Sequence, residues 1–217
     1  MVGSPALRRL IGCGPERYRW ASRDILPTVY LYTMPHILAP MSIVIRPIEP
    51  SDSISAITAL LHRAYAKQVT MGLKPLAGRQ DDGVTIRRIA SGECFVAADE
   101  HNNPRGVIIL NEQEPDQGPD WFVRPGHASF SQLAVDPDCQ GLGIGAKLLG
   151  KVESRAAELG DVELSLSMAE PDRELRDYYL RRGYRIVTTW KWPYTNYTSL
   201  ILSKSLVSMS VGVSAGQ

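Results

Sequence analysis

The chain has 217 residues, 44% of them hydrophobic, which is enough to bury one sizeable core and fits a single folded domain. Lys and Arg number 24 against 23 Asp and Glu, a formal net charge of +1, so no strong basic field points to nucleic acid; no run is long and apolar enough to span a membrane. Three scattered cysteines, Cys13, Cys94 and Cys139, fit a reducing compartment better than a disulfide framework, and a cytoplasmic protein is expected.

Up to Pro40 the basic residues Arg8, Arg9, Arg17, Arg19 and Arg23 face only Glu16 and Asp24. An Arg-rich, acid-poor start is a transit-peptide composition, but the apolar centre of a signal peptide is missing. Met41 precedes a strand-like run, so residues 1–41 are expected to be a disordered or misassigned extension, with Met41 the functional start. Residues 43–47 alternate as a strand, and Ser51-Asp52-Ser53 can cap a helix running to about residue 67. The stretch 72–78 breaks the pattern. A second helix is expected from Asp81 or Asp82 to Ala90, ended by Ser91-Gly92. Residues 93–98 and 105–111 read as a hairpin turning at His101-Asn102-Asn103-Pro104, followed by a loop over 113–125. Residues 130–135 form the next strand. After a glycine-rich turn, Ile144, Leu148, Leu149, Val152, Ala156 and Leu159 fall near one helix face, with Gly160 as the C-terminal stop. Val162, Leu164, Leu166 and Met168 alternate with Glu163, Ser165 and Ser167, a clear fifth strand. Strands 185–192 and 198–203 close the sheet around Pro193-Tyr194-Thr195-Asn196. The domain thus spans 42–206, and the tail 207–217 is expected to fray.

The turn Gln140-Gly141-Leu142-Gly143-Ile144-Gly145-Ala146 carries the chemistry. A strand, a glycine-rich turn and a helix start bring unpaired backbone N–H groups to one point, where the helix dipole also favours an anion. A Walker loop requires Gly-Lys followed by Ser or Thr, whereas this chain has Gly145-Ala146-Lys147-Leu148. The dinucleotide pattern is formally met by Gly141, Gly143 and Ala146. Its acidic partner should end the second strand, but Asp161 and Glu163 open one, and too little chain follows for a second nucleotide-binding half. A tight turn holding no ligand is the bland alternative.

With its flanks, Leu133-Ala134-Val135-Asp136-Pro137 and then Gln140-Gly141-Leu142-Gly143-Ile144-Gly145 resembles the acetyl-CoA signature of the GNAT superfamily of N-acetyltransferases. Tyr178-Tyr179-Leu180-Arg181-Arg182-Gly183-Tyr184 resembles that family's second signature. The resemblance covers residues 42 to 206, strongest in the last half. It implies an α/β fold: a mixed, mostly antiparallel sheet of about seven strands, splayed between the fourth and fifth, with about four helices. It implies acetyl-CoA as co-substrate, with pantetheine pairing along Leu133, Ala134 and Val135 as an added strand, and pyrophosphate on the amides of Gln140, Gly141, Leu142, Gly143, Ile144, Gly145 and Ala146.

The implied reaction is direct attack of a primary amine on the thioester. An amine with the lysine reference pKa costs about 4 to 5 kcal/mol to deprotonate at pH 7. The leaving thiolate needs a proton donor, and Tyr179, four residues before Gly183, matches the family's tyrosine; the alternative is an aromatic packed in the core. Tyr178 is expected to pack or face solvent. No carboxylate stands where family members often carry a base. The strands offer Ser131, Gln132, Ser165 and Ser167, Asp172 replaces a frequent asparagine, and Glu112, Glu114 and His127 read as loop residues able to act only through water. Cys139 reads as a bystander. The loops 67–83 and 190–197 are the expected substrate walls: Trp190, Trp192, Tyr194 and Tyr197 either line an amine pocket or face the core, and Asp81 and Asp82 either attract a cation or cap a helix. A small-molecule amine is favoured over a protein or peptide. A non-catalytic acyl-CoA-binding module is the reading from another class, and a homodimer is open. The four histidines show no metal-ligand spacing, so no metal site is expected.

Overall fold

The computed structural model describes residues 42–111 and 118–207. The extension before residue 42, Glu112, Glu114 and the tail from residue 208 lie outside the described residues. In chain order the elements are β1 (Val44–Pro47), α1 (Ile54–Thr70), α2 (Asp82–Ile89), β2 (Gly92–Ala98), β3 (Pro104–Asn111), β4 (His127–Val135), α3 (Ile144–Glu158), β5 (Glu163–Ala169), α4 (Arg173–Leu180), β6 (Arg185–Trp190) and β7 (Ser199–Ser205). They form one 7-stranded sheet in the order β1-β2-β3-β4-β5-β7-β6. Neighbours are antiparallel except β4 and β5, which run parallel.

The sheet is covered on both faces, which explains why β2 and β3 read as unbroken apolar runs rather than alternating ones. Phe95, Ala97, Ile108 and Leu110 pack under α3 with Ile144, Leu148, Leu149 and Val152. Cys94, Val96, Val107 and Ile109 face the other way, against Ile57, Leu60 and Leu61 of α1. Each fully buried Leu or Ile of these layers is worth about 1.5–3 kcal/mol of transfer free energy. Leu159, expected on the buried face of α3, is 48% exposed, because the helix has ended at Glu158 and Gly160 turns the chain at φ +92. Val162 is likewise exposed and precedes the strand it was expected to open. β6 begins at Arg185 as expected but closes at Trp190, and β7 runs from Ser199 to Ser205, past the expected end at Ser203.

Side chains cap three of the four α-helices at their starts. Ser53 accepts from the Ala56 amide, Asp81 from Val84 and Asp172 from Leu175. The fourth, α3, starts at Gly143 in the left-handed conformation with no side-chain cap, so its first amides are left open. No helix among the described residues is long and apolar enough to cross a membrane.

Candidate active site

β4 and β5 pair only through His127 with Glu163, Ala128 with Leu164 and Ser129 with Ser165. Beyond that point the strands diverge. β3 stays paired to β4 along the other edge, but with a bulge: Val107 faces Ala134 and Ile109 faces Ser131, so Ile108 alone opposes Gln132 and Leu133. Gln132 takes up the extra length at φ 53, a left-handed conformation that costs a non-glycine residue about 1 kcal/mol or more. The bulge also inverts the strand's faces. Ala128 and Phe130 belong to the α3 side, Ala134 to the α1 side, and Leu133 and Val135 swing round to the α3 side.

The divergence opens a cavity of about 570 Å³ between β4 and β5. It is bounded by residues 130–135 of β4, Leu166 to Ala169 of β5, the glycine turn and the Tyr178 face of α4. Gly141 and Gly143, at φ 80 and 78, bend the turn so that the uncapped start of α3 faces this space. A Cβ on Gly145 would lie 3.4 Å from the Tyr178 hydroxyl and 3.5 Å from Val135 Cγ2, so the missing side chain keeps the cradle open. Of the residues picked out from sequence, Leu133, Ala134, Val135, Gln140, Gly141, Gly143, Ile144, Gly145, Ala146 and Tyr179 all border the cavity. Leu142 does not: its side chain is 58% exposed, and only its backbone belongs to the turn.

Tyr179 is 4% exposed and packs edge-on to Tyr184 at 5.6 Å and against Phe130 at 6.1 Å between ring centroids. Burial pushes its phenol well above the ordinary value. Tyr184 donates to Glu153 at 3.0 Å, whereas the Tyr179 hydroxyl makes no hydrogen bond among the described residues and borders the cavity. Tyr178 packs against the core as expected and also borders the cavity beside Gly145, with the Arg182 guanidinium 3.5 Å from its ring. The cavity rim is tied by a Lys67–Glu174 ion pair and by Gln68 Nε2 donating to Asp172 at 3.0 Å.

A second, smaller cavity of about 150 Å³ lies on the far side of the split. Tyr65, Ser131, Gln132, Ser167 and Tyr197 border both spaces. Trp192 and Tyr194, stacked at 5.7 Å, wall the small cavity with Phe122 and Arg88. Trp190, expected with them, is not in its lining. Two loops close it and are fastened to each other. Lys74 N–H donates to Asn196 Oδ1 at 2.8 Å, Asn196 Nδ2 to Gly72 O at 2.9 Å and Arg79 to Tyr194 O at 2.7 Å. Trp192 Nε1 is anchored on Ser167 at 2.9 Å. Asp81 is spent as the α2 cap, Ser165 is held between Trp121 and Ser203, and His127 bonds the Trp121 carbonyl; none of them lines either cavity. Gln132 is buried and set by Gln80, which in turn bonds Thr85 at 2.8 Å. Cys139 is buried at the cavity edge, and burial pushes its thiol pKa up despite the helix start beside it.

The model of the acetyltransferase (GNAT) family matches residues 56–184, well over half of the chain. The chain belongs to the GNAT acetyltransferase family. Solved structures agree on the fold. A GNAT acetyltransferase from Staphylococcus aureus superposes with a TM-score of 0.59 at 16% identity, over 76% of this chain and all of the other. The ribosomal-protein-S18-alanine N-acetyltransferase of Escherichia coli gives 0.58 at 16% identity, over 79% and 99%. An aminoglycoside 6′-N-acetyltransferase solved with coenzyme A gives 0.56 at 13% identity, over 76% and 98%. No curated protein matches the chain. Membership makes this GNAT chain an acyltransferase that uses an acyl-CoA. The sequence reading missed Tyr65, Arg88 and the structural part of Gln132: the first two lie on helices with no local motif around them, and a bulge has no sequence signature without a glycine.

Proposed function

We propose that the protein transfers an acetyl group from acetyl-CoA to the primary amine of a small molecule, by direct attack within a ternary complex. The observation that carries this reading is the meeting of two cavities at the β4–β5 split through Tyr65, Ser131, Gln132, Ser167 and Tyr197. The larger cavity suits the acyl-CoA: a pantetheine amide chain can pair with the free edge of β4 at residues 133–135, and the pyrophosphate can accept from the amides of residues 141–146, the Gln140 amide, expected among them, being already bonded to the Pro137 carbonyl. The smaller one suits an acceptor no larger than a metabolite, because its two loops are tied together rather than open as a groove.

In this reading the amine enters over Gln132 and Ser131 and attacks the thioester carbonyl; the carbon–nitrogen bond forms, the carbon–sulfur bond breaks, and the amine proton leaves through water. Tyr179 donates a hydrogen bond to the sulfur as its negative charge grows. With its pKa raised by burial, the phenol acts as a fixed donor rather than a full acid toward a thiolate of lower proton affinity. A covalent acyl-enzyme finds no support, since no histidine lines either cavity among the described residues and Cys139 is buried with a raised thiol pKa. Isothermal titration of acetyl-CoA into the protein and into a Gly143→Glu, Gly145→Glu variant is the deciding test, followed by thiol release with an amine library. Binding that the variant abolishes, with transfer, supports the reading; binding without transfer to any amine makes the chain an acyl-CoA-binding module; no binding refutes both.

A further inference from the structure

Among the described residues, the small cavity holds one formal charge. Arg88, in the last turn of α2, lines it. Its Nε is fully shielded from solvent and has no hydrogen-bond partner. The side chain makes no ion pair among the described residues, although arginines elsewhere in the chain are engaged: Arg46 by Asp52, Arg63 by Asp136, Arg105 by Asp99 and Arg155 by Glu93. Among the described residues no Asp or Glu lines the small cavity, whose other polar side chains are hydroxyls, the Gln132 amide and the Trp192 indole. Nε, shielded from water and without an acceptor, is a costly donor to leave unmet, and among the described residues no carboxylate stands beside the guanidinium. No described wall residue brings a carboxylate to this guanidinium, which leaves the position open to an anionic ligand.

Resting on the acetyltransferase reading above, we propose that the acceptor carries an anionic group as well as its amine: an amino acid or an amino-phosphonate, with Arg88 binding the carboxylate or phosphonate and fixing which end of the molecule faces the split. Guanidinium meets such groups in a bidentate fork, giving orientation as well as affinity. Trp192, Tyr194 and Phe122 then surround the rest of the molecule. The same argument disfavours polyamines and other purely cationic acceptors, which would bring a second positive charge into a cavity where no described residue offers a carboxylate. The Asp81 and Asp82 carboxylates, which a cation would need, are absent from its lining.

The test uses matched pairs with acetyl-CoA and the purified full chain: L-phenylalanine against phenylalaninamide, L-methionine against methioninamide, 2-aminoethylphosphonate against ethanolamine, with spermidine as the cationic case. Transfer is followed by thiol release. The anionic member of at least one pair is expected to be preferred about 10- to 100-fold in kcat/KM. Arg88→Gln should remove that preference by raising KM for the acid alone, with acetyl-CoA affinity unchanged by titration; Arg88→Lys, which keeps the charge and loses the fork, should fall between. Equal or better use of the amides, the neutral amine or spermidine overturns the inference while leaving the acetyltransferase intact, and so does a preference that survives Arg88→Gln. Failure of transfer to every compound despite bound acetyl-CoA also overturns it, whereas failure to bind acetyl-CoA refutes the underlying function as well.

Discussion

Gly145→Ala separates the cradle's role in binding from its role in folding, because the two effects have opposite signs. Gly145 is the second residue of α3 and does not need a positive φ. The new methyl carbon would meet the Tyr178 hydroxyl at 3.4 Å and Val135 Cγ2 at 3.5 Å, ordinary contact distances that require no displacement. Folding should therefore gain about 0.5–1 kcal/mol from the lost flexibility of glycine, which for a domain of this size raises Tm by about 2–4 °C. An oxygen accepting from the amide at 145 or 146 has to come within about 2.9 Å of nitrogen, and the methyl stands between Tyr178 and Val135 in that space. Acetyl-CoA affinity should fall at least tenfold, about 1.4 kcal/mol. Gly143→Ala provides the contrast: nothing lies within 4 Å of its Cβ, but its φ of 78 strains any side chain, so it should lose about 1–2 kcal/mol of stability together with affinity. Thermal unfolding by circular dichroism and titration calorimetry measure both quantities. A Gly145→Ala protein that binds acetyl-CoA as tightly as the parent would refute the placement of the pyrophosphate.

Tyr179→Phe should lower kcat about 10²-fold at unchanged acetyl-CoA affinity; equal turnover removes the residue from the mechanism. Because burial raises the Tyr179 pKa, its donor proton is retained through alkaline pH, so kcat/KM for the acceptor should climb with amine deprotonation and show no decline from this group below pH 10. A declining limb near pH 8 that vanishes in Tyr179→Phe would contradict that. Gly106→Ala puts a Cβ 2.8 Å from Leu148 Cδ1 and 3.1 Å from the Ala134 carbonyl, where α3 presses on β3, and should cost about 1–3 kcal/mol in denaturant unfolding; a neutral result would mean α3 can slide. Asp99 is held at about 2: its burial alone would raise the pKa, but bonds from the Asn103 amide and side chain, Arg105 and the His101 amide outweigh it. A lowered folded-state pKa contributes above the unfolded value near 4 and is lost as pH falls toward 2. Asp99→Asn should thus cost about 1–2 kcal/mol at pH 7 and progressively less between pH 4 and 2, and a constant difference across that range would assign the effect to packing.

Most of the fold was legible because its signals are local. Ser53, Asp81 and the glycines at 141, 143, 160 and 183 mark helix ends and turns by chemistry that operates within a few residues. Leu164, Leu166 and Met168 report a buried face in the same local way. The small cavity was legible only in part: Trp192, Tyr194, Tyr197 and residues 75–77 fall in the two loops expected to wall it, but its remaining walls were not foreseen. Its walls come from α1, α2, β4, β5 and the 191–198 segment, and what assembles them is the bulge at Gln132, a long-range event. Up to Phe130 the even residues of β4 face α3; beyond the bulge the odd ones do. Counting alternate residues through the strand therefore assigns the wrong faces to its second half, and Ser131 and Gln132 reach the junction only because the count fails there. Asp81 illustrates the converse. Its capping role and its acid role were both open in the sequence, and the short bond to the Val84 amide at 2.7 Å decides for the cap.

The missing strand carboxylate then takes on a physical meaning. A free primary amine holds its proton by about 4 to 5 kcal/mol at pH 7, and something must offset that if no base stands at the split. In the proposed reaction the cavity itself does so. Trp192, Tyr194 and Phe122 strip water from the ammonium, and desolvation favours its neutral form. Arg88 adds a positive neighbour whose charge the acceptor's own anion answers, leaving no carboxylate to hold the proton on nitrogen. Each unit by which these effects lower the amine pKa removes about 1.4 kcal/mol of the penalty. A strand carboxylate in so small a cavity would work against this, pairing with the ammonium and repelling the anion that Arg88 is there to bind. On this view the serines and the Gln132 amide at the junction suit an acceptor that arrives with its own negative charge, and water is a sufficient carrier for a proton already loosened by the walls.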